Sequence, residues 1–265
     1  MEYLGYIFSI LIGVALGLIG GGGSILTVPV LVYIFNMDAA AAAVYSLFVV
    51  GLTSAVGSVN YFKRGLINIK PALVFGIPSV VGVFIARLII VPAIPEHVFS
   101  IGDFSISKHI LLMLLFAILM IGASYSMIKK NNEVVVEDKK LCCQNYVLTI
   151  LQGMLTGIIT GMVGAGGGFM IIPALLFMLK LPMKKAIGTS LLIIAFNSLL
   201  GFAGSAGHTE IHWPFLLTIA AFAVGGIFIG NLLSRKIDGA KLKPAFGWFV
   251  LVMGVYIILK ETIAA

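Results

Sequence analysis

Apolar residues gather into eight long runs, near 4–35, 39–62, 71–92, 109–128, 145–179, 186–206, 213–234 and 244–259. The runs lack the period-two alternation of strands and are long enough to span a bilayer, so the pattern predicts helices. Chain breakers mark the short connectors: Asn36-Met37-Asp38, Pro92 and Pro95, Pro182, and Asp238-Gly239. One longer polar stretch, residues 129–144, divides the chain into halves at 1–128 and 145–265. It reads as a cytoplasmic linker on the membrane surface.

The halves repeat each other at an offset of 144 residues. Gly13 falls on Gly157, Gly17 on Gly161, Ser46 on Ser190, Ser54 on Ser198, Gly57 on Gly201 and Gly82 on Gly226. Each half opens with a run broken near its middle by glycines, Gly20–Gly23 before Ser24 and Pro29, and Gly164-Ala165-Gly166-Gly167-Gly168 before Pro173. Both runs exceed 30 residues, and a continuous helix of 30 would reach about 45 Å against a hydrocarbon core of about 30 Å. Each is therefore either a long tilted helix or a re-entrant hairpin of two half-helices.

The loop charges separate these readings. If all eight runs cross, the basic residues between them split 8 to 8 across the membrane. If the first and fifth runs enter and return, the split is 14 to 2, with only Lys108 and Lys260 outside and Arg87 set apart inside a run. Cytoplasmic loops collect Lys and Arg, so the second topology is favoured. The sequence thus predicts an all-α polytopic membrane protein of two inverted repeats. Each repeat is a glycine-broken re-entrant helical hairpin plus three transmembrane helices, set in the cell inner membrane with both termini outside.

Composition agrees. The chain is 60% hydrophobic and 10% charged, against about 25% charged in a soluble domain. A net charge of +7 is explained by topology, and no nucleic-acid partner is expected; the lipid bilayer is. No basic segment precedes the first run, so it is expected to stay in the mature protein. The adjacent Cys142 and Cys143 suit neither a disulfide nor a metal site. A homodimer is compatible with such a chain, though no segment marks an interface.

A helix broken at membrane depth frees backbone N–H groups at the start of its second half, and with the helix dipole these favour an anion. Glycine leaves no side chain between that backbone and a ligand. The tips place Gly21, Gly22, Gly23 and Ser24 of one half, and Gly166, Gly167 and Gly168 of the other, as candidate binding residues. The spaced pairs Gly13 and Gly17, Gly157 and Gly161, and Gly226 and Gly230 read instead as helix packing. Within the runs, Ser46 with Thr53, and Thr189 and Ser190 with Asn197, supply hydroxyl and amide groups that either complete an anion site or join helices. Arg87 is the ionisable side chain well inside a run, so it is either on an anion path or snorkelling from the outer end of its helix. All ten acids and the four histidines fall in loops or at run ends, which argues against a buried proton relay, a metal centre or intramembrane hydrolysis. No cofactor is expected.

With these features the chain resembles the TauE/SafE sulfite-exporter family. The likeness is carried by Gly20–Gly23 with Pro29, Gly164–Gly168 with Pro173, and Gly188-Thr189-Ser190-Leu191. The post-helix stretches Gly65-Leu66-Ile67-Asn68 and Thr209-Glu210-Ile211-His212-Trp213 add to it. The first half has Val44-Tyr45-Ser46 where the second has Gly188-Thr189-Ser190. The resemblance implies transport, usually export, of sulfur-containing anions such as sulfite, thiosulfate or sulfoacetate. The expected function is a secondary anion transporter; the alternatives are a passive anion channel and a non-transporting assembly or sensor subunit.

Overall fold

A computed structural model describes residues 2–95, 97–101, 104–128, 146–163, 168–177, 179, 181–205, 207, 211–236 and 239–264. The apolar runs are helical. The first half holds α1 (Glu2–Ile19), α2 (Gly22–Tyr33), α3 (Ala39–Lys63), α4 (Ile69–Ile85), a π turn at Ala86–Ile90, α5 (Val91–Ala93) and α6 (Lys108–Ile128). The second holds α7 (Tyr146–Val163), α8 (Gly168–Phe177), α9 (Met183–Ser205), α10 (Trp213–Lys236) and α11 (Gly239–Ala264). Among the described residues four stretches are long and apolar enough to cross a membrane: Ala40–Lys63, Ile69–Ala93, Met183–Ser205 and Trp213–Ser234. The linker at 129–144 lies outside the described residues.

One element goes beyond the helices expected. The α5–α6 connector carries an antiparallel hairpin, β1 (His97–Ile101) and β2 (Phe104–Ser107), with Ile101 opposite Phe104. Phe104–Ser107 alternates apolar and polar residues, whereas Val98 and Phe99 adjoin in the first strand at a shift in register, so the pattern is too short and broken to register among the long runs.

The sequence repeat is also a repeat of local structure. Met37 N–H donates to Leu31 O and Leu181 N–H to Leu175 O, both at 3.2 Å. Ala42 and Ala186 donate back to Asp38 O and Pro182 O, and Ala72 and Leu216 to Asn68 O and His212 O. Every one of these pairs differs by 144. Side chains vary where the backbone does not: Asp38 caps α3 by accepting from Ala40 N–H at 2.8 Å, whereas proline stands at 182.

Packing follows the same exchange. The most extensive interfaces join α1 to α10, α4 to α7, α3 to α9 and α6 to α11. Glycines set the first two. Gly13 and Gly17 face the backbone of α10 at Ala223–Asn231, and Gly157 and Gly161 face Ser79 and Val83 of α4. Both pairs of helices run parallel. The equivalent helices α3 and α9 run antiparallel, with Gly57 against Leu191, Gly51 against Leu199 and Leu47 against Gly201. They form the centre: 67% and 72% of their apolar windows are buried, against 39% and 44% for α4 and α10. The outer helices turn Leu73, Ile77 and Phe228 outward, as lipid-facing surfaces do.

The reading of the spaced glycines as packing residues therefore holds. A Cβ on Gly157 would enter the Ser79 carbonyl, while one on Gly225 would meet nothing within 4 Å. Overpacking costs about 1–3 kcal/mol where side chains yield, and backbone yields less. Gly157→Leu is thus expected to lower the melting temperature markedly in detergent, and Gly225→Leu to leave it near the parent value; equal effects would contradict this packing.

Candidate functional site

The first glycine break is a reversal of the chain. Gly20 has φ 77°, a left-handed conformation that glycine adopts without strain. Beyond it, α2 packs back on α1, with Gly23 against Ile12 and Leu16 and, at the far end, Gly5 against the Phe35 ring. No room is left for a side chain at Gly20 or Gly21. A Cβ on Gly20 would lie 2.9 Å from Ser190 Oγ, and one on Gly21 would enter the backbone of Gly168. The N-termini of α2 and α8 thus meet main chain to main chain. Gly22 begins α2, and Gly166 and Gly167 lie outside the described residues.

Each half-helix starts with N–H groups that its own first turn leaves without partners. Ser24 is fully buried, and both its N–H and its hydroxyl donate to Gly21 O, at 3.2 and 2.7 Å. The predicted hydroxyls divide by what they do with their proton. Ser46 donates to Ala43 O, Ser190 to Ile187 O and Thr53 to Val49 O. In these rotamers they offer lone pairs, and must rotate to serve an anion. Thr189 instead accepts at Oγ1 from Asn68 N–H at 3.0 Å, which keeps its proton for another acceptor. In the other half Tyr45 does the equivalent work, its hydroxyl accepting from His212 N–H at 2.7 Å. Both side chains tie the loop after a helix to the centre of the opposite half.

The α3–α9 crossing carries further polar groups. Asn197 Nδ2 donates to Ser79 Oγ at 2.7 Å, and Asn197 Oδ1 has no partner. Ser54 and Ser198, each fully buried and equivalent under the repeat, have hydroxyls without partners. Buried polar groups in folded proteins are nearly always paired, so a matched set of orphans marks a place for a ligand or water.

Arg87 does not snorkel. It sits in the π turn Ala86–Ile90, is 8% exposed, and leaves Nε and Nη2 unpaired. Pro92, five residues on, lacks the N–H that regular helix would need, and π turns gather at functional positions. The parallel packing of α4 on α7 sets Ala86 against Gly161, so Arg87 is level with the end of α7, where the second glycine break begins. Its counterpart Asn231 is 2% exposed and lies beside Gly17, one turn before the first break, with Oδ1 unpaired. Near it, the Tyr61 hydroxyl lies 3.3 Å from Gly17 O and 3.2 Å from Ser234 Oγ.

The structure therefore gathers Gly21, Gly168 and Ser190 at the first tip, Thr53 and Asn197 at the central crossing, and Arg87 toward the second tip. Sequence reasoning reached Asn231 only as the repeat counterpart of Arg87, and passed over Ser79 and Tyr61. The 144-residue offset from Arg87 points to Asn231. It does not help with Ser79, whose counterpart is Ala223, nor with Tyr61, whose counterpart is Ser205.

Residues 6–257 match the family described as Sulfite exporter TauE/SafE. A probable membrane transporter protein of Xylella fastidiosa (strain Temecula1) is 29% identical over 255 residues, covering 95% of this chain and 92% of its own. The probable membrane transporter protein YdhB of Bacillus subtilis (strain 168) is 23% identical over 94% of this chain and 96% of its own. MJ0441 of Methanocaldococcus jannaschii, also a probable membrane transporter protein, is 35% identical across 41% of this chain and 43% of its own. No solved structure matches. With its apolar spans and a family match over nearly its whole length, the chain is a multi-pass membrane protein and belongs to the sulfite exporter TauE/SafE family.

Proposed function

We infer that the protein is a secondary transporter of sulfur-containing oxyanions or organosulfonates, such as sulfite, thiosulfate or sulfoacetate, exported by alternating access. The observation that carries this reading is Arg87: a buried guanidinium with unpaired donors, in a chain whose apolar runs contain no acid to neutralise it. An uncompensated charge inside a membrane is costly. A bound oxyanion removes that cost and fits the planar fork of arginine. The helix N-termini meeting at Gly21 and Gly168 add dipoles of the right sign.

In this reading each half is a re-entrant hairpin followed by three crossing helices, and the halves are inverted. Antiparallel packing of the equivalent α3 and α9 supports inversion, since it requires an exchange axis perpendicular to those helices. Charge supports the orientation. Gly188 packs on Tyr61 and Leu66, which brings the α3, α4 and α9 ends bearing Lys63, Arg64, Lys70, Lys184 and Lys185 to one side, the cytoplasmic one. Both termini then lie outside the inner membrane. Transport would rock one repeat on the other around the central crossing, and the anion would pass between Arg87 and the Asn231 side.

Counterflow in proteoliposomes tests the function. Labelled sulfite should exchange saturably against unlabelled sulfite, and other sulfur oxyanions and organosulfonates should compete in an order that names the substrate class. Conductance without counterflow would replace the carrier with a channel, and neither activity in folded protein would leave the assembly-subunit reading.

A further inference from the structure

We propose that a groove between α4 and α9 is a binding site for an anionic phospholipid, with one acyl chain along the groove and the phosphate held by Lys70 and Lys185. The groove has a volume of about 300 Å³ and a wholly apolar lining that includes Leu73, Gly76, Ile77, Leu192, Phe196 and Leu200. It opens outward: Leu73, Ile77 and Phe196 are each more than half exposed. Its walls run parallel, since Asn68 bonds Thr189 at one end and Phe84 packs on Gly204 near the other.

Length and charge identify the occupant. From Ile69 to Val81 the groove follows helix for about 18 Å at about 1.5 Å per residue, close to one leaflet of a hydrocarbon core about 30 Å thick. That volume spread over that length suits a single extended hydrocarbon chain. Neither lysine lines the groove itself, but by helical spacing each continues one of its faces. Lys70 is on the stripe of Leu73, Ile77 and Val81, and Lys185 on that of Leu192, Phe196 and Leu200, each toward the basic end of the bundle. Lysine stems lie along apolar surface while their heads reach a phosphate, and basic pockets between spanning helices suit anionic headgroups. Gly76 keeps the floor open. Behind that floor the same two helices are joined by the Asn197–Ser79 hydrogen bond, so an inserted chain props the spacing of the helices that carry the central polar groups.

Lipid binding tests this without reference to transport, so a failed counterflow experiment and a failed lipid experiment bear on different claims. Purified protein in neutral detergent would be titrated with phosphatidylglycerol or phosphatidylcholine, read by thermal shift and by lipid retained in native mass spectrometry. Phosphatidylglycerol should be retained and should stabilise, and phosphatidylcholine should do so much less. Lys70→Gln and Lys185→Gln should each weaken phosphatidylglycerol binding about fivefold, and Gly76→Leu, which fills the groove, should remove retention of both lipids. Equal retention of the two lipids, or full retention by the lysine pair or by Gly76→Leu, would overturn the proposal. So would lipid-independent cross-linking of Phe196→Cys between two copies, which would make the groove a protein interface.

Discussion

Arg87→Gln protein should insert and fold as the parent does and lose anion exchange by about a hundredfold or more. Hydrogen bonds to charged groups contribute about 1.5–3 kcal/mol each, and about 1.4 kcal/mol is a factor of ten. Two donors of Arg87, Nε and Nη2, are held ready. Arg87→Lys keeps the charge without the fork, and should retain a measurable fraction of exchange at a raised KM. The same site makes a second, opposite prediction for stability. Removing an uncompensated buried charge relieves a cost of the empty protein, so Arg87→Gln should melt higher than the parent without substrate and gain nothing when sulfite is added. A structural arginine would behave the other way, with its loss lowering the melting temperature. Normal exchange by a folded Arg87→Gln protein would remove Arg87 from the anion path.

Gly21→Val and Gly168→Val should each abolish exchange. The backbones of these residues are in contact, and neither can yield by changing rotamer, so any side chain must part α2 from α8. In the proposed site, the N–H groups of the two half-helices would then no longer converge on one anion. Ser24→Ala, which removes only a hydroxyl bonded to Gly21 O, should cost about 1 kcal/mol in stability and at most a few-fold in rate. Counterflow, together with the thermal shift produced by saturating sulfite, separates lost binding from lost folding. A folded Gly21→Val protein that is stabilised by sulfite as the parent is would dissolve the glycine-tip site.

The broad layout is legible in the sequence because its causes are local and repeated. Run length identifies the helices. The offset of 144 finds the duplicated turns at Met37 and Leu181 and the matched glycines of the α1–α10 and α4–α7 interfaces. The site is less legible, since its contacts join residues far apart in the chain. Gly21 and Gly168 meet across the repeats without being equivalents, and an offset comparison does not pair them. Ser79 holds Asn197 where the other half has Ala223 and Thr53, so the repeat is broken where it matters. Tyr45 and Thr189 differ in size and type yet hold equivalent loops through a hydroxyl, a likeness visible only in the hydrogen bonds. The burial of Arg87 comes from the π turn before Pro92 and the packing of α4 on α7, neither of which follows from a lone basic residue in an apolar run.

The junction of Gly21 with Gly168 has an evolutionary corollary. Under the proposed function, this locus of peptide groups presents the same atoms whatever the flanking sequence, so point substitution there would destroy anion binding rather than tune it. Relatives that came to handle different cargo would have had to change at the margins, at positions such as Arg87, Asn197 and Asn231. On that reading ancestry is held in the main chain, and chemical taste in a few side chains around it.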